Sequence, residues 1–295
     1  MMKLKPFSKS LAGAVLKILP FVLFLSACSS STSPSFLKED IAQAVKDISK
    51  KEYNLDIVTR LVGNTLWAYM PLEDILTKPA KPEKYIERFL LEERENSLQE
   101  KILKVSYLIR PTVENEKHQE MEINKASREK IFNLLRVISR VLMSTKLSKE
   151  EKPVFFCIVT ADIKNGIEIK QTFHLLDFKK LSYNIISQTE YQHRIVQDTG
   201  VSLQVVGDKE GSHLNYYEIT LEEFIADQIQ GRIRLKFQKP EVESNADIDK
   251  EVLKIITYTL STYGFKDFTL VELMNEATGK KVILNQTAIF ANPKE

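Results

Sequence analysis

Residues 154–175 read VFFCIVTADIKNGIEIKQTFHL. Val154 to Ile163 is an apolar run dense in β-formers, Asn165-Gly166 follows, and residues 167–175 form a second strand-like run. Asn-Gly between two such runs is the strongest short-range hairpin signal, because a tight turn demands a positive φ that few other residues tolerate. Just upstream, Ile131, Leu134, Leu135, Ile138, Val141 and Leu142 fall at helical spacing, with Arg128, Lys130, Arg136 and Arg140 on other faces. That period predicts an amphipathic helix over 127–143. Helix followed by hairpin is therefore the unit to seek elsewhere in the chain.

It recurs twice. Leu37, Ile41, Val45 and Ile48 make one helical face over 36–50. Leu55, Ile57, Thr59 and Leu61 then alternate, and Gly63-Asn64 turns into LWAYM at 66–70. Near the end, Ile248, Val252, Ile255, Ile256 and Thr259 line a helix that Gly264 can stop in the left-handed conformation. Residues 268–273 alternate, Gly279 offers a turn, and Val282 to Leu284 can return. Residues 71–84, with Pro71, Pro79 and Pro82, read as a loop. Residues 85–110 fit either a charged helix or a hairpin turning at Asn96-Ser97; the β-formers at 101–110 favour the hairpin. Ser187 with Glu190, and Thr220 with Glu223, have capping-box spacing. The second opens a helix with Leu221, Phe224, Ile225, Gln228 and Ile229, after which Ile233, Leu235 and Phe237 alternate with three cations as a half-exposed strand would. The expected class is α+β: mostly antiparallel β-sheet packed with helices on one side, in three helix–strand–strand units of poor mutual identity. Residues 36–295 are expected as one large domain, or as two with a division near 112–126.

The N-terminus is a separate matter. Residues 1–17 carry Lys3, Lys5, Lys9 and Lys17 and no acid, and ILPFVLFLSA at 18–27 is almost wholly apolar. A basic region followed by a short apolar one is the arrangement of a secretory signal, and the run is well short of the roughly 20 residues that span a bilayer. Leu25-Ser26-Ala27-Cys28 resembles the lipobox of bacterial lipoproteins at all four positions. The resemblance covers residues 1 to 35 and implies a diacylglyceryl thioether on Cys28, cleavage just before it and acylation of the new N-terminus. Two or more acyl chains are what stable attachment requires. Ser29, where an Asp would retain such a lipoprotein in the inner membrane, implies the outer membrane facing the periplasm if the host has two membranes. SSSTSPS at 29–35 is small and polar, the composition of a flexible tether.

Cleavage there would reverse the charge. The chain has 42 Lys+Arg and 40 Asp+Glu; without the four signal lysines, 38 bases face 40 acids, a formal −2. No general case for nucleic-acid binding survives. Of the two cysteines, Cys28 would be acylated, which leaves Cys157 without a disulfide partner.

The chemistry-bearing residues form no catalytic set. His118, His174, His193 and His213 sit in no HExxH or zinc spacing. Cys157 lies inside VFFCIVT, where a thiol acts as a small hydrophobe, and Asp162 before Lys164-Asn165-Gly166 has the look of turn chemistry. Trp67, Tyr69, Tyr216 and Tyr217 are core aromatics by default and an exposed aromatic patch by alternative. GDKEGSHLNYYE at 207–218 is the most site-like stretch. Asp208, Glu210, His213 and Asn215 make it a candidate binding loop whose oxygen and imidazole groups could meet a divalent ion, although its spacing matches no EF-hand and a long surface turn has the same composition. No catalytic residue, metal or cofactor is assigned. Two readings follow: a lipid-anchored envelope protein whose domain binds another envelope component, or a hydrolase-like envelope enzyme with dispersed catalytic residues.

Overall fold

A computed structural model describes residues 36–78, 89–92, 96–111, 121–145, 153–238, 242 and 246–291. Cys28, the expected signal and tether, and His118 lie outside them. The described residues form seven helices and twelve strands, an α+β chain whose sheets are mostly antiparallel.

The first unit is helix α1 (Ile41–Tyr53) and strands β1 (Val58–Val62) and β2 (Thr65–Leu72). The second is α2 (Lys125–Met143), β8 (Phe155–Asp162) and β9 (Ile167–His174). Each hairpin forms where expected, and β2 and β8 pair in parallel, Thr65 opposite Phe155 through Leu72 opposite Asp162. An edge strand, β10 (Val196–Val201), completes the sheet order β1-β2-β8-β9-β10. Gln-Asp-Thr-Gly carries little β-propensity, so no strand is expected here; pairing along β9 holds it in place.

All eight residues of β8 are buried, as a central strand covered on both faces must be. Leu66, Ala68, Met70, Phe156 and Ile158 meet Ile41 and Val45 of α1 and Leu134, Ile138 and Val141 of α2. The opposite face, Trp67, Tyr69, Phe155, Cys157 and Val159, is also covered, by Val205, Ile219 and Phe224. The expectation of helices on one side is therefore corrected for this sheet. Asp162 does serve the β8–β9 turn: its carboxylate accepts from the backbone N–H of Lys164 and Asn165 at 3.2 and 3.0 Å, and from Ile75 at 2.8 Å.

The second sheet repeats the logic. The third unit, α6 (Ile248–Tyr263), β11 (Leu270–Asn275) and β12 (Lys280–Asn285), forms as expected, with Gly264 stopping the helix at φ 60°. Strand β11 pairs in parallel with β6 (Ile102–Pro111), which in turn pairs antiparallel with β4 (Phe89–Glu92) and β5 (Ser97–Gln99). Residues 85–110 are thus β-structure where described. The turn, however, is at Glu100-Lys101 rather than Asn96-Ser97. Gln99 faces Ile102 across the ladder, so only two residues connect the strands, and both take positive φ, 51° and 63°, as that loop length requires. Two short strands, β3 (Leu76–Thr77) and β7 (Glu122–Ile123), form a separate ribbon. A last helix, α7 (Gln286–Ala291), follows β12.

The chain between the sheets adds α3 (Leu175–Ser182), α4 (Gln188–Gln192) and α5 (Leu221–Phe237). Both halves of the Thr220–Glu223 capping box are made. Helix α5 then runs through 232–237, which corrects the strand expected there. Ile225, Ile229, Ile233 and Phe237 recur every fourth residue and are buried in one core with Val252, Ile256 and Leu260 of α6. The six-residue alternation is a fragment of that longer period, and Leu235, which a strand would bury, is 40% exposed. Gly231 sits inside this helix with open space where a Cβ would go. Replacing it with Ala should raise the unfolding free energy by about 0.5–1 kcal/mol, measured by urea denaturation; a loss of stability would contradict the continuous helix.

Candidate functional site

Alternation along β9 sends Glu168, Lys170, Thr172 and His174 to the face opposite α1 and α2. Over that face lies the stretch read as a binding loop, now a strap from Gly207 to Ile219. Its fastenings are distributed along its length. The Tyr69 hydroxyl donates to the Asp208 carbonyl at 2.6 Å, the Trp67 indole N–H donates to the Tyr217 carbonyl at 2.8 Å, and the Asn64 N–H donates to the Glu218 carboxylate at 3.0 Å. Gly211, at φ 66°, passes flat against the Tyr69 ring, where a side chain would collide. The four aromatics expected as core or patch are one cluster: Trp67 and Tyr69 are buried, and Tyr216 and Tyr217 both lie 5.6 Å from the Trp67 ring.

His213 is the central fastening. Its Nδ1 lies 2.5 Å from Asp208 Oδ2 and its Nε2 lies 2.7 Å from Glu168 Oε2, with the imidazole only 11% exposed. Burial disfavours its charge, but the two carboxylates outweigh that and hold its pKa above the ordinary 6.5. Burial likewise raises Asp208, yet the bonds from His213 and from the His213 and Glu210 N–H groups hold it below the usual carboxylate range. An imidazolium donating from both nitrogens has no lone pair for a metal ion and no free base site. Of the four expected loop residues, the fold brings together Asp208 and His213. Glu210 contributes its backbone N–H, and Asn215 faces solvent. Glu168, 45 residues away from His213, is absent from the expected loop set; its position in strand alternation is the only signal the sequence carries for it.

Two further polar groups flank the strap. Asp177, 1% exposed, takes Arg194 Nη1 at 2.6 Å and lies 3.4 Å from His174 Nδ1. Burial raises this carboxyl, and the hydrogen bonds to His174 and Arg194 override it and hold it low. On the other side, Lys170, Asp198, Asp227 and Arg234 line a cleft of about 110 Å³ between β9, β10 and α5. Asp227 stands at its rim, open to water on one side. The cleft wall desolvates the other side and holds its carboxyl above the usual range, against the pull of Lys170. The Lys170 ammonium lies over the rings of Trp67 and Tyr217 at 5.4 and 5.5 Å. Cys157 is fully buried and its thiol is pushed up to about 12 by burial, a packing residue rather than a nucleophile.

No family model matches the chain, and no curated protein or solved structure matches it either.

The strap therefore works as a charged latch. Because His213 has a raised folded pKa, its contribution is complete below about 6.5 and is lost as pH rises through the folded value. The Asp208 contribution, from a lowered pKa, is lost only as pH falls below the carboxylate range. His213→Ala should cost about 2 kcal/mol or more near pH 5.5, since it leaves two partly buried carboxylates without their shared donor. The gap from wild type should narrow towards about pH 9, as read by urea denaturation; a gap that widens with pH would rule the latch out.

Proposed function

We propose that this chain is a lipid-anchored envelope lipoprotein, held in the membrane by acylated Cys28 and facing the periplasm where the host has an outer membrane, whose α+β region docks onto another envelope component. The observation that carries the anchoring half is Leu25-Ser26-Ala27-Cys28 behind a basic and then apolar leader. Compatible with it, no helix among the described residues is long and apolar enough to cross a membrane.

Geometry supports the docking half. Phe36, eight residues beyond Cys28, donates its N–H to the Ser144 carbonyl, and Lys38 reaches Asn64 Oδ1 in the β1–β2 turn. The start of β8 is at this same end, because Val154 donates to the Asn64 carbonyl. Eight-residue strands then carry the sheet about 26 Å to the β8–β9 turn. There Ser202 and Gly207 bond the carbonyls of Gly166 and Ile163, and three apolar side chains project: Val201 at 81% exposure, Leu203 at 91% and Val206 at 50%. The β10 edge leads into this tip, exposed along most of its length. Exposed apolar side chains grouped beside an open strand edge mark an interaction site, and this one points away from the tethered end. The alternative, a hydrolase-like enzyme, would be favoured by a cleft lined by Asp208, Glu210 or His213; the latch instead spends Asp208 and His213 on each other and on Glu168.

Metabolic labelling with a fatty-acid analogue should mark wild type and leave Cys28→Ser unmarked; equal labelling would sink the anchoring claim. For docking, a photo-crosslinking residue at Leu203 in membranes should yield a discrete adduct, lost on Val201→Asp, which should itself change stability by less than about 0.5 kcal/mol. An adduct unaffected by Val201→Asp would overturn the tip's role.

A further inference from the structure

Helices α5 and α6 leave a cleft of about 300 Å³ between them, at the lower end of the size range of ligand sites. Arg232 and Lys236 of α5 and Lys254 of α6 line it with His193, against one carboxylate, Glu251. The concentration of cations is local, since the chain from residue 28 onward carries a formal −2.

The existing contacts do not use up these cations. Glu251 gives one oxygen to Lys236 and the other to Lys254, each at 3.0 Å, so a single negative charge faces two ammonium groups. Glu190 is the acid nearest Arg232, but its Oε1 already accepts from Arg194 Nε at 2.8 Å and from the Tyr258 hydroxyl at 3.0 Å. Arg232 Nη2 is left 3.9 Å away, buried and without a hydrogen bond among the described residues. A buried guanidinium N–H without an acceptor is costly, so the Arg232 charge is only partly compensated within the fold. The remainder of Arg232 is fixed: Nε donates to Gln228 at 3.2 Å, and the guanidinium lies 4.9 Å over the Tyr258 ring.

The walls are apolar. Leu235 and Tyr258 are 40% and 47% exposed on facing helices, with Ile255 between them in the lining. A bare anion would leave this surface wet, and a cation would meet three like charges. We infer that the α5–α6 cleft binds a small anionic amphiphile, its carboxylate or phosphate head on Arg232, Lys236 and Lys254 and its alkyl or aryl body against Leu235, Ile255 and Tyr258. The site stands independently of the lipid anchor and of the docking tip.

Isothermal titration of the full chain in phosphatidylcholine nanodiscs, with empty discs as blank, tests this with three probes. Phenyl phosphate should bind saturably at one site, at least tenfold tighter than inorganic phosphate, and benzyltrimethylammonium should give no heat. The double variant K236E/K254E should weaken phenyl phosphate at least tenfold with an unchanged circular dichroism spectrum; should it misfold, Leu235→Asn should weaken phenyl phosphate towards the level of inorganic phosphate. Equal affinity for the two phosphates, or binding unaltered in the folded variants, or no binding of phenyl phosphate, would overturn the proposal. Discs containing phosphatidylglycerol separate the sources: competition identifies a bilayer headgroup as the occupant, and unchanged affinity identifies a free amphiphile.

Discussion

Phe224 and Ile225 are neighbours on helix α5, yet they bury into different cores. Phe224 packs with Phe155 and Val159 against the first sheet, and Ile225 joins Ile229, Ile233 and Phe237 against the second. One helix must satisfy both, and this explains features that look unrelated in isolation. Its start needs a firm cap, supplied by Thr220 and Glu223, because the strap arrives there from across the first sheet. Its middle carries buried Gln228, which donates to the Arg194 carbonyl at 2.7 Å and so ties α5 to the Asp177 network. Its last turns, packed on α6 through the apolar row beneath, carry Arg232 and Lys236 of the cleft.

The two sheets share one construction. In each, a hairpin meets a second hairpin through a parallel central pair, β2 with β8 and β6 with β11. Parallel pairing needs a long crossover, and the crossovers bring in α2, α5 and α6. Each sheet draws strands from both sides of residues 112–126.

Much of this was legible from periodicity. Helices α1, α2 and α6 and three hairpins follow from apolar spacing and turn residues, because local sequence dictates local geometry there. Failures came where a short pattern fits two periods or where pairing outweighs propensity. Ile233, Leu235 and Phe237 alternate like a strand, and only the row beginning at Ile225 reveals a helix. Glu100-Lys101 makes a tight turn without the expected Asn or Gly because the ladder on both sides leaves it two residues. The candidate loop was found by its composition, but its action was not. Whether Asp208 and His213 meet a ligand or each other depends on Glu168, which only the fold brings to them. The cleft was invisible for the same reason: its cations lie on two helices, and their surplus shows only when each carboxylate's partners are known.

The N-terminal end, a latched face and an apolar tip lie along one sheet, and the proposed attachment at residue 28 would set its orientation. Mass spectrometry of the N-terminal peptide from membrane-purified protein tests that attachment most directly. A lipid-anchored chain should yield a peptide beginning at Cys28 and carrying the mass of a diacylglyceryl group with a further acyl chain. An unmodified Cys28, or peptides from residues 1–27 still joined to the protein, would contradict it.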